Sequence, residues 1–139
     1  MKNKRFIVYC LTIIFFCSCS TSLKDIHGYM NLQLNNYCDQ SLNEYENIVI
    51  IPRRGCHACV EQADRFFQEN KSNKKYMFIF TRLMSEKRLR IELGNANLSL
   101  PNVVVDKENN FYNSKFEESD YPLLLTKGEN GYFLVSYLF

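Results

Sequence analysis

The stretch Asn47-Ile48-Val49-Ile50-Ile51-Pro52-Arg53-Arg54-Gly55-Cys56-His57-Ala58-Cys59-Val60 decides how the rest of this chain is read. Its first five residues are mostly β-branched and end at a proline, the pattern of a short strand buried on both faces. Beyond the turn, Val60, Ala63 and Phe67, with Phe66 beside them, fall on one face of a helical wheel. Glu61, Asp64, Arg65 and Glu69 fall on the other. This is an amphipathic helix of about four turns. Two cysteines separated by two residues therefore stand where a strand hands over to a helix.

That position has chemical consequences. At a helix N-terminus the unpaired backbone N–H groups and the positive end of the dipole favour a thiolate over a thiol. Arg53 and Arg54 precede Cys56 and His57 follows it, so cationic neighbours are at hand. Such settings bring a cysteine pKa from about 8.5 to somewhere in ~3.5–7.5. The spacing makes Cys56 the attacking nucleophile and Cys59, one turn in, the resolving thiol. A protonated His57 stabilises the reduced form, which makes the disulfide more oxidising. His57 is thus the expected tuner.

Working outward, Tyr76 to Phe80 and Val103 to Val105 read as further strands. Between them Ser85 can cap a short helix carrying Leu89 and Leu93, with Glu86 in its first turn and Gly94 past its end. Asp106-Lys107-Glu108-Asn109-Asn110 is a turn cluster. Pro122 to Thr126 and Tyr132 to Leu138 flank Lys-Gly-Glu-Asn-Gly as a β-hairpin. On the N-terminal side, Met30, Leu34, Tyr37, Cys38 and Tyr45 recur near helical spacing and predict a helix over roughly 29–45, although intervening asparagines weaken the pattern. Strands alternating with helices predict an α/β layer architecture with parallel early strands and an antiparallel pair at the end. The 139 residues, 46% apolar and 23% charged, suit one domain with a real core and exclude a disordered chain.

The N-terminus reads differently. Lys2, Lys4 and Arg5 precede an apolar run from Phe6 to Phe16, and small residues follow, as in a secretion signal. Eleven apolar residues fall short of the ~20 that a membrane-crossing helix needs. The run ends in Phe16-Cys17-Ser18-Cys19, which resembles the lipobox of bacterial lipoproteins, with Cys19 as the acylated residue. Residues 1–18 are then a signal peptide, 19–28 a lipidated tether, and 29–139 the folded domain. Loss of 1–18 removes three of 17 basic residues and none of 15 acidic ones, turning a formal +2 into −1. A mildly basic nucleic-acid binder is excluded. Of the six cysteines, Cys38, Cys56 and Cys59 remain as thiols, too few for a disulfide framework. Cys38 is either a buried small hydrophobe or a transient partner of the close pair.

The segment from Asn47 to Val60 resembles the thioredoxin superfamily. The later layout, Val103-Val-Val-Asp-Lys-Glu-Asn-Asn-Phe-Tyr followed by Tyr121-Pro122-Leu-Leu-Leu and a Gly-containing hairpin, is similar to its membrane-anchored extracytoplasmic, TlpA-like thiol-disulfide oxidoreductases. The resemblance covers roughly residues 44–137. It implies a three-layer α/β/α fold with a central mixed sheet, and protein thiol-disulfide oxidoreductase activity in the bacterial cell envelope. The domain would then face the periplasm from a lipid-anchored membrane site. It implies a protein dithiol or disulfide as substrate, a second redox protein as electron partner, and no bound cofactor. In that family a cis proline opens the penultimate strand beside the cysteines, and the residue before it pairs with bound peptide. By position these are Pro122 and Tyr121, with Pro101 the rival. Arg54 stands on the substrate-binding side.

The chain also departs from the family. Arg54-Gly55 stands where an aromatic residue usually precedes the first cysteine. Gln62 occupies a position often held by Glu, and no C-terminal helix follows the hairpin. Tyr132 to Phe139 is apolar on both alternating faces, so it is expected to be covered by residues 29–45 or by another protein. Two other functions fit the same residues: a metallochaperone holding a soft metal such as Cu(I) on Cys56, Cys59 and His57, and a non-catalytic interaction lipoprotein. A zinc site would need Cys38 and His27 to converge on the pair. Covalent haem needs His after the second cysteine, where Val60 stands. Glu44 or Glu46 is either a surface carboxylate or a buried acid beneath the cysteines.

Overall fold

A computed structural model describes residues 22–37 and 44–139. The expected signal peptide, Cys19 and Cys38 lie outside the described residues. Helix α1 (Ser22–Tyr37) comes first, then β1 (Asn47–Pro52), α2 (His57–Asn70), β2 (Tyr76–Thr81), α3 (Glu86–Leu93), the short α4 (Asn95–Leu98) and β3 (Val103–Val105). A 3-10 turn (Glu117–Asp120) leads into β4 (Leu123–Lys127) and β5 (Phe133–Tyr137). The chain is mixed α/β, with one five-stranded mixed sheet in the order β3-β2-β1-β4-β5.

β1 lies in the middle of that sheet. It pairs in parallel with β2, Ile50 opposite Ile79, and antiparallel with β4, Ile50 opposite Leu123. β2 and β3 are parallel, β4 and β5 antiparallel. The C-terminal ends of β1, β2, β3 and β5 and the start of β4 thus meet at one end of the sheet. Cys56 follows β1 at that end.

The period of two along β1 divides the core. Ile48 and Ile50 join Met77, Ile79, Leu123, Leu125, Phe133 and Val135 under Ile26, Met30 and Leu34 of α1. Val49 and Ile51 join Phe78 and Phe80 under Ala63 and Phe67 of α2 and Leu89 and Leu93 of α3. Helices therefore cover both faces of the sheet. Phe67 meets Phe78 and Phe80 edge-on, with ring centroids 5.0 and 5.1 Å apart.

Several sequence expectations shift. α1 begins at Ser22, not near residue 29, so part of the segment read as tether is helical, and Ile26 is fully buried. Its buried stripe is Ile26, Met30 and Leu34, at four-residue spacing, and Tyr45 lies beyond the helix beside the strand. One of the asparagines that weaken the pattern, Asn31, has a tertiary task. Asn31 Nδ2 donates to Phe133 O at 3.0 Å, and its Oδ1 accepts from Phe133 N at 2.8 Å. His27 Nε2 lies 3.0 Å from Val135 O. α1 thus covers one face and the outer edge of β5, while Leu134 on the other face stays 60% exposed. The helix between Ser85 and Gly94 forms as its caps predict, with Ser85 Oγ accepting from Arg88 N at 3.1 Å. Among the described residues no helix is long and apolar enough to cross a membrane.

Candidate functional site

Cys56 is the N-cap of α2, with extended backbone (φ −65°, ψ 106°), and its Sγ accepts from Cys59 N at 3.3 Å. The two cysteines form a disulfide across the first helical turn, with Cα atoms 5.2 Å apart. When the bond is reduced, the same geometry turns an exposed helix start toward the Cys56 sulfur, where a thiolate is favoured. The local fold follows from the sequence: Pro52 ends the strand, Gly55 supplies a positive φ of 123°, and Cys56 opens the helix.

Gly55 is sterically required. A Cβ there would stand 2.8 Å from Asp120 O and 3.8 Å from Arg82 Nη1. The turn before Cys56 is therefore packed against the segment that leads into Tyr121 and Pro122. Pro122 is buried at the start of β4, and its carbonyl accepts from Leu138 N at 3.0 Å. No peptide bond among the described residues is cis, so the Tyr121–Pro122 bond is trans, contrary to the expectation carried by the resemblance. Tyr121 N donates to Glu118 O at 3.1 Å, which engages that amide within the protein. The Tyr121 ring meets Tyr137 edge-on at 5.8 Å. Burial and then the Glu118 and Glu117 carboxylates push the Tyr137 phenol above its ordinary pKa.

The expected cations divide. Arg53 does not serve Cys56: its side chain is 7% exposed, bound to Asp64 of α2 and to Glu92 of α3 through Nη2 at 2.7 Å. Burial opposes its charge, but hydrogen bonds and charge from Asp64 and Glu92 outweigh that and hold it more firmly protonated. Arg53 thereby ties α2 to α3 over the Phe80 ring. Arg54 is exposed and lines a cavity of about 460 Å³ between α2 and α3, together with Gly55, His57, Val60, Leu83 and Met84. His57 stands 86% exposed with Nδ1 3.7 Å from Glu61 of its own helix. Glu46 bonds Lys75 Nζ at 3.0 Å at the N-terminal end of β1, the end away from Cys56, so it is a surface carboxylate.

Two residues at this end of the sheet carry roles that the sequence reading did not assign. Arg82, the first residue after β2, has a left-handed backbone at φ 51°, a conformation that costs a non-glycine residue about 1–2 kcal/mol. Its Nη1 donates to Arg54 O at 3.3 Å and pairs with Asp120, while its guanidinium lies 4.4 Å from the Tyr112 ring centroid. Asp106, fully buried, accepts from Thr81 Oγ1 at 2.7 Å, Phe111 N at 2.9 Å and Asn110 N at 3.0 Å. It organises the turn after β3. The only signal for Arg82 was its place directly after an apolar run, whereas Asp106 opens the turn cluster that the sequence already marks. Among the described residues no three His, Cys, Asp or Glu side chains gather to hold a metal ion.

No protein-family model, no curated protein and no solved structure matches the chain.

Proposed function

We propose that this protein is a thioredoxin-like thiol-disulfide oxidoreductase of the cell envelope, anchored to a membrane through a lipid on Cys19. The observation that carries the reading is the Cys56–Cys59 disulfide across the first turn of α2, at the C-terminal end of the central strand. The parallel pairing of β1 with β2, its antiparallel pairing with β4 and the place of the cysteines directly after this central strand support the reading.

In the reducing direction, the Cys56 thiolate attacks one sulfur of a substrate disulfide. The substrate S–S bond breaks, its other sulfur leaves as a thiolate and takes a proton from water, and a mixed disulfide joins Cys56 to substrate. Cys59, deprotonated, then attacks Cys56 Sγ. The mixed disulfide breaks, the second substrate thiolate leaves, and two electrons have passed from the protein dithiol to the substrate. Oxidation of a substrate dithiol is the same sequence reversed, and a second redox protein restores the starting state. Arg54 and His57, exposed on either side of Gly55-Cys56 in the chain, and exposed Tyr121, next to the Asp120 against which that turn packs, are the proposed substrate-facing residues.

Cys59→Ser tests the reading. With the resolving thiol removed, Cys56 accumulates a mixed disulfide with a disulfide-bonded protein such as insulin, visible as a reducible adduct by mass spectrometry. Cys56→Ser forms none. Absence of adduct in Cys59→Ser contradicts the proposal.

A further inference from the structure

We propose that Arg82 is a positioning residue of the redox site: it holds the cysteine-bearing turn against the segment entering β4, so that both present one pre-formed docking edge to a protein disulfide. The inference rests on the oxidoreductase reading above and adds to it how a protein substrate is received.

Three groups from two stretches of chain converge on one guanidinium. Arg54 O, two residues before Cys56, accepts from Nη1 at 3.3 Å. The Asp120 carboxylate, two residues before Pro122, pairs with the same nitrogen. The Tyr112 ring lies against the guanidinium, with its centroid 4.4 Å from the central carbon. Of these groups, Arg54 lies in the turn after β1, whereas Tyr112 and Asp120 both lie in the connection from β3 to β4. Gly55 shows how closely the two stretches are pressed, because a single added carbon would meet Asp120 O at 2.8 Å. The backbone of Arg82 is itself in a conformation that L side chains rarely adopt, at φ 51°. Such backbone persists where its surroundings over-determine it, and it recurs at functional sites.

The guanidinium is engaged in fixing geometry. Asp120 offsets its charge, and Arg54 O occupies the Nη1 donor from the side of the turn. Arg82 therefore acts on the reaction through the turn and the Tyr121 edge. Fixing two docking elements before binding removes an ordering cost that a macromolecular substrate otherwise meets. A small disulfide needs only the Cys56 sulfur and gains much less.

The experiment compares Arg82→Ala, Arg82→Lys and Asp120→Asn with the wild type. Each protein is assayed with insulin as protein disulfide and bis-hydroxyethyl disulfide as small one, with dithiothreitol restoring the dithiol after each turnover and its uncatalysed rate subtracted, after circular dichroism shows the fold intact. In Arg82→Ala and Asp120→Asn the insulin KM rises about tenfold with a much smaller fall in kcat, and the loss with the small disulfide is several-fold less. Arg82→Lys, which keeps the charge and a donor for Asp120, recovers most of the insulin KM. Equal losses on both substrates, or an unchanged insulin KM in the folded Asp120→Asn variant, overturn the inference while leaving the activity standing. A wild type inert toward both disulfides overturns the oxidoreductase reading and the inference with it.

Discussion

Asn31 pairs with the backbone of Phe133 in both directions, its amide nitrogen donating to Phe133 O at 3.0 Å and its oxygen accepting from Phe133 N at 2.8 Å. A helix side chain thus takes the place of a neighbouring strand on β5, the outermost strand of the sheet. Unpaired strand edges invite pairing with other chains. Asn31→Leu leaves both Phe133 groups without that partner, so stability falls by about 1–3 kcal/mol. Urea unfolding measures the loss, and light scattering on the folded protein shows concentration-dependent association. A variant as stable and as monomeric as wild type contradicts this role.

Two glycines give substitutions of opposite sign. Gly55 has a positive φ and no room beside Asp120 O, whereas Gly28, inside α1, has nothing within 4 Å of an added Cβ. Gly55→Ala is expected to destabilise by about 1–3 kcal/mol through backbone strain and the displaced loop. Gly28→Ala is expected to stabilise by about 0.5–1 kcal/mol, because alanine is the better helix former. Denaturant midpoints of the two variants decide the matter. A Gly55→Ala variant as stable as wild type contradicts the account of the turn before Cys56, and a destabilised Gly28→Ala contradicts that of α1.

The ion pairs that join α2 to α3 predict an acid limb. Hydrogen bonding from Arg88, ahead of that from Arg53, holds the Glu92 carboxyl below its ordinary pKa, and partial burial offsets only some of this. A group whose folded pKa is depressed contributes stability that is complete above its unfolded value of about 4.3 and is lost as pH falls through the folded value. Glu92→Gln therefore lowers the unfolding midpoint at pH 7, and the difference from wild type narrows as pH is taken toward 3. A difference that stays constant or widens toward low pH contradicts the assignment.

Much of this was legible in the chain. The central strand, α2 and the capped helix from Glu86 to Leu93 carry strong periods and local cap residues, and local physics sufficed for them. α1 was misplaced because Asn31 works through β5, 102 residues away, and helix propensity does not register a side chain's tertiary partner. Proximity in sequence pointed to Arg53 as a cation for Cys56, yet the buried side chain is turned toward Asp64 and Glu92. Arg82, 28 residues beyond Arg54, reaches the turn instead. Which arginine meets which loop is fixed by the parallel pairing of β1 with β2, and no local pattern encodes that register.

The proposed lipid anchor makes its own prediction. Cells fed labelled palmitate incorporate it into the wild-type protein, and Cys19→Ala abolishes both the label and membrane recovery. Label retained in the variant contradicts the assignment of Cys19.

The central claim is that Cys56 and Cys59 exchange disulfides reversibly, and the reduction potential of the pair tests it most directly. The protein is equilibrated in glutathione or dithiothreitol buffers of graded ratio, and the reduced fraction is counted by thiol alkylation and mass. The account predicts one reversible two-electron transition between about −120 and −270 mV, the span of dithiol oxidoreductases. A disulfide that stays oxidised below about −300 mV, as structural disulfides do, contradicts it.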